Sequence, residues 1–155
     1  MRRIELGAIS GIHPHFAGVE RELDLAPIDL PDPALVPKAL AMQISELYPL
    51  VVTGPDLFCV GQTALYRWLT IFMPPSTPVC CIDLSRDFRR APIEQIVFAE
   101  RLVIPSLARI TPQQVHDFYQ HISSTPTRWA NEYRSHAHLA RLVGVKPLKG
   151  TGREI

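Results

Sequence analysis

Apolar and polar positions along the chain change rhythm several times, and each change predicts an element. Residues 3–30 carry Ile4, Leu6, Ile9, Val19, Leu23 and Leu25 in partial alternation with polar residues, broken by Gly and Pro. That pattern predicts short strands or a hairpin. Asp32-Pro33 reads as a helix cap followed by a first-turn proline. Leu35, Val36, Ala39, Leu40, Met42, Ile44 and Leu47 then fall near helical spacing as far as Pro49. Leu50–Thr53 reads as a strand, Gly54-Pro55-Asp56 as a turn and Leu57–Val60 as a second strand. After Gly61-Gln62-Thr63 the stretch Ala64–Phe72 has helical composition, and Pro74-Pro75 ends it. Pro78–Asp83 predicts a third, buried strand.

The second half is helical in pattern. Pro92 opens a predicted helix running to about Val103, where Pro105 stops it. Thr111-Pro112-Gln113-Gln114 has the residues of a capping box, and Thr125-Pro126 predicts a further helix that ends at Gly144 as its C′ residue. The expected fold is therefore α+β, a single domain over 1–144 with a helical part over 112–144 and a flexible tail over 145–155.

Composition narrows the class. A chain of 155 residues with 46% hydrophobic and 20% charged side chains is long and apolar enough to fold around its own core. Sixteen basic residues against fifteen acidic ones leave a net charge of +1, which selects neither nucleic acid nor acidic ligands as a class. Three cysteines, two of them adjacent at Cys80-Cys81 among Val and Ile, suggest reduced, buried thiols. No apolar run reaches the length of a membrane span or a signal-peptide core, so a soluble cytoplasmic protein is expected. The fifteen prolines, about twice the usual share, divide the chain into short elements.

Two joins carry candidate chemistry. A helix entered through Gly61-Gln62-Thr63 aims free amides and a positive dipole end at one point, which suits phosphate, and Arg67 lies one turn further on the same face. The bland alternative is an ordinary turn in which Thr63 caps the helix and Arg67 is solvated. After the third strand come Asp83, Arg86, Asp87, Arg89 and Arg90. Asp83, Arg86 and Asp87 are candidates for assisting hydrolysis through carboxylate–metal coordination, and Arg89 and Arg90 for pairing with DNA phosphates. The alternative there is a solvated loop with weak ion pairs. His13-Pro14-His15 places two imidazoles on one side of an extended segment, without further ligands to complete a metal set. Cys59 reads as a small hydrophobe, and Trp68, Trp129 and Tyr133 as core or interface anchors.

The run 26–83 resembles the ParB/sulfiredoxin superfamily. The resemblance rests on Pro27-Ile28-Asp29-Leu30, Leu50-Val51-Val52, Phe58-Cys59-Val60-Gly61, Arg67 and Pro78-Val79. The glycine-led phosphate motif of that superfamily usually continues Glu-Arg-Arg or Cys-His-Arg, where this chain has Gln62-Thr63-Ala64. Within it, the size and the mixed-charge segment after the third strand look most like the plasmid fertility-inhibition proteins. That likeness implies a small mixed sheet of the ParB/sulfiredoxin type and a factor that blocks type IV secretion-mediated transfer of DNA, in conjugation or T-DNA export. It implies a phosphohydrolase with ATPase and DNase activity, hence ATP and a divalent cation such as Mg2+ as cofactors. Its partners would be DNA and secretion or coupling proteins, the latter holding it at the inner-membrane periphery. The alternative reading is a non-catalytic module that inhibits such a protein by binding. Its contact would come from the apolar helices near Leu102–Leu107 and Val115–Ile122, with Trp129 and Tyr133.

Overall fold

The computed structural model describes residues 1–146. Two compact units divide the chain: residues 1–30 with 37–107, and residues 31–36 with the segment from Ala108 onward.

The first unit is built on a five-stranded mixed sheet. Its strands are β1 (Arg2–Glu5), β2 (Gly11–Ile12), β3 (Leu50–Thr53), β4 (Phe58–Gly61) and β5 (Pro78–Asp83), in the order β1-β5-β3-β4-β2. β3 runs antiparallel to β4 and parallel to β5, β1 closes one edge antiparallel to β5, and β2 lies parallel to β4. Side chains alternate across the pleat. Val51 and Val60 meet α1 (Pro14–Glu22) and α4 (Arg90–Phe98), where Phe16, Val19, Val60, Ile93 and Val97 form a closed cluster. Leu50, Val52, Cys59 and Cys81 occupy the alternate positions and are buried, with α2 (Lys38–Leu47) packed on β5 and α3 (Thr63–Phe72) on β3 and β4. Each such Leu, Ile, Val or Phe side chain taken fully out of water contributes about 1.5–3 kcal/mol.

The β3–β4 register shifts between Val51 and Val52. At that irregularity a Cβ on Gly61 would come within 2.7 Å of the Val51 side chain, so only glycine allows the two strands to approach this closely.

Four sequence expectations need correction, three of them before Ala108. The segment read as strands or a hairpin over residues 3–30 contains α1, which begins at Pro14 with the His13 side chain accepting from the His15 amide. The Asp32-Pro33 helix start is a single 3-10 turn, Pro33–Leu35, and α2 begins only at Lys38. The helix expected to stop near Val103 continues through a π-helical turn (Ala99–Val103) into α5 (Ile104–Leu107). Pro105 has no N–H to donate back along the helix, and the wide turn just before it accommodates the missing bond.

The second unit contains α6 (Pro112–Ser124) and α7 (His136–Val143). Thr111 and Gln114 make the expected capping box on α6. In place of one helix from Thr125 to Gly144, two short 3-10 turns, Pro126–Arg128 and Asn131–Arg134, precede α7. Gly144 ends α7 in the left-handed conformation. The tail expected from 145 lies, beyond residue 146, outside the described residues. Among the described residues no helix is long and apolar enough to cross a membrane.

Candidate functional site

The β4–α3 join is an anion cradle in its local geometry. Gln62 is left-handed, with φ 56° and ψ 41°, and the helix starts directly after it at Thr63. A left-handed residue followed by a right-handed one turns successive amides inward into a concave nest for negative charge. The nest holds the chain's own Glu100. One carboxylate oxygen accepts from the Gln62 amide at 2.8 Å, and the other accepts from the Thr63 amide at 3.2 Å and its hydroxyl at 3.3 Å. Glu100 comes from the π-helical turn, and its neighbour Arg101 reaches in a different direction.

Arg101 and Arg67 converge on Glu20 of α1. Arg67 binds the carboxylate with both terminal nitrogens, and Arg101 pairs with the same carboxylate and donates to the Ala26 carbonyl. The Glu20 side chain is only 10% exposed and that of Arg101 14%, so the three charges form a largely buried Arg–Glu–Arg hub. A buried carboxylate keeps its charge only with such partners. The sequence reading placed Arg67 over the Gly61-Gln62-Thr63 amides. In the structure Glu100 sits on the amides and Arg67 is fastened to α1.

The second candidate group is spread over several partners. Asp83 pairs with Arg2 of β1 at 2.9 Å and accepts from the Ser85 amide. Asp87 accepts from His13 Nε2 at 2.9 Å and from the Phe88 amide at 2.8 Å. The His13 bond, then the amide, hold the Asp87 carboxyl below its ordinary range. His13 spends its other nitrogen, Nδ1, accepting from the His15 amide. These two bonds assign the Nε2–H tautomer and leave the ring without a free acceptor for general-base work. Arg86 stacks 4.9 Å over the Phe88 ring, a cation–π contact. Arg89 is the N-cap residue of α4, and Arg90 is bonded to Glu22 and Glu94. Burial pushes the Cys59 thiol up to about 12, with Glu100 adding to the effect, and Cys81 up to about 11. Both stay protonated, as small buried hydrophobes do.

An open cavity of about 540 Å3 lies beside the hub, lined by Arg21, Arg67, Arg101, Glu20, Asp24 and the chain from Leu25 to Ile28. A smaller, largely apolar groove of about 270 Å3 runs between α1 and α4, with Leu23, Phe98 and Leu102 along it and Glu22, Arg90 and Glu94 at its rim.

Sequence reasoning singled out the Gly61-Gln62-Thr63 turn and Arg67 and did not name Glu20, Glu100 or Arg101. One signal was present: Glu100-Arg101 is a charged pair set inside the apolar run Ile96–Ile104. Charged neighbours in such a run are rarely buried without a partner.

ATP with Mg2+ finds a poor fit in this donor set. Mg2+ sites use one or two carboxylates together with the nucleotide phosphates. Here Asp83 and Asp87 are engaged by Arg2 and His13, and the nest amides by Glu100. Among the described residues no three His, Cys, Asp or Glu side chains are grouped to hold a metal ion. Compared with known protein families, curated proteins and solved structures, the chain matches none.

Proposed function

We propose that the chain is a fertility-inhibition factor of the ParB/sulfiredoxin type that blocks type IV secretion-mediated DNA transfer by occupying a surface of a secretion or coupling protein. The observation that carries this reading is a set of exposed apolar side chains on the helix through α4 and α5. Phe98, Leu102, Ile104 and Leu107 are each more than half exposed. The groove beside Phe98 and Leu102 has an apolar floor and a rim carrying both signs of charge. Those are the features that seat a partner's amphipathic helix. The other helix named in the sequence reading is used differently, since Val115 and Ile122 are buried.

Inhibition by contact asks nothing of the engaged carboxylates and arginines. A hydrolase acting in the same role is the second reading, favoured by the nest, which already binds one carboxylate. It requires Glu100 to withdraw and release the amides.

One experiment separates the two. Leu102→Asp should abolish inhibition of conjugative transfer in a donor strain while leaving the melting temperature unchanged. Asp87→Asn should inhibit fully, with no ATP or DNA turnover by either purified protein. Full inhibition by Leu102→Asp removes the surface from the account. Turnover that disappears in Asp87→Asn together with inhibition favours the hydrolase.

A further inference from the structure

Beyond any protein partner, we propose that the cavity beside the Arg–Glu–Arg hub is a binding site for a small organic anion, a carboxylate or phosphate monoester on a short apolar body. Three observations lead there. The first is charge. Three guanidinium groups, Arg21, Arg67 and Arg101, line the cavity against two carboxylates, Glu20 and Asp24. One positive charge is left uncompensated at a site whose central members are largely out of water, and a bound anion supplies the balance.

The second is donor capacity. A guanidinium has five N–H groups in a planar fork. Arg67 uses two on Glu20, and Arg101 uses one on Glu20 and one on the Ala26 carbonyl. These bonds fix both side chains in place, so an incoming anion would meet their remaining N–H groups on a preorganised fork and not on a mobile side chain. Arg21, exposed on α1, supplies a third group from the rim.

The third is shape and lining. About 540 Å3 lies within the range of small-molecule sites, too large for a bare ion to fill. Ala17, Leu25, Pro27, Ile28 and Leu30 give the remaining wall an apolar character, which suits a hydrocarbon or planar body behind the charged head. Its lining is distinct from the nest amides that Glu100 fills, so occupancy leaves those bonds in place.

The test uses the full chain and four probes at millimolar concentration: benzoate, phenyl phosphate, inorganic phosphate and neutral benzyl alcohol. Binding is followed through backbone amide NMR shifts. Benzoate or phenyl phosphate should move the amides of residues 17–30, and which of them binds more tightly identifies the head group. Inorganic phosphate should bind more weakly, and benzyl alcohol not at all. Arg21→Gln, which leaves the Glu20 hub intact, should weaken the better probe about tenfold. Ala26→Trp should abolish binding by filling the space. Shifts with neither organic anion, equal binding of benzyl alcohol, or unchanged affinity in both variants would overturn the proposal. Inhibition of transfer depends on Leu102, outside this lining, so the two proposals fail separately.

Discussion

The most buried polar side chains of the two units are treated in opposite ways. In the first, Glu20 is buried against two arginines, Thr63 shares the Glu100 carboxylate with two amides, and His13 bridges Asp87 and the start of α1. Thr53, whose hydroxyl has no partner, is the exception. In the second, His136 is 1% exposed and neither ring nitrogen has a partner. Its ring sits edge-on to His116 and Tyr119, with centroids 5.7 and 5.5 Å away, as a phenyl ring would. The difference teaches where specificity has been built in. A satisfied network fixes particular atoms in particular places, whereas an unpartnered imidazole serves as filler.

The largest blow to this contrast is Glu20→Ala, which strands Arg67 and Arg101. It should cost the first unit about 3–5 kcal/mol in urea denaturation, as breaking a buried ion pair does. A loss comparable to that of a surface ion pair would show the hub to be ornamental. Glu100→Ala is milder. It opens the nest and leaves two amides and a hydroxyl to water, and about 1–3 kcal/mol should be lost by the same measurement. An unchanged midpoint would mean that water serves those donors equally well. His136→Phe sharpens the other side. With no bond to break and a polar ring removed from an apolar setting, the second unit should gain about 1 kcal/mol, read from the thermal transition. A loss of similar size would reveal a partner for the ring and dissolve the distinction.

Much of the strand framework was legible because its signals are local. Pro78–Asp83 is bounded by prolines and a charged loop and reads unambiguously, and the Thr111 cap carries its own partner three residues on. α1 was not legible. Its cap is a histidine, its first residue a proline, Gly18 interrupts it, and its inward face uses only Phe16, Val19 and Glu20. Pro105 misled in the other direction, because a proline rule written for regular helices does not anticipate a π-helical turn ahead of it. The cradle could be read from Gly61 and the residues after it. What fills it could not, since Glu100 is 38 positions away and no sequence rule relates a carboxylate to a distant amide.

One turn of backbone therefore has two anchor points. Glu100 moors it to α3 and Arg101 moors it to α1, while Phe98 and Leu102 on the same stretch face outward. The helix that presents the apolar surface is thus tied to α3 and α1 by two consecutive charged side chains, so a partner docking there meets a helix already held in place.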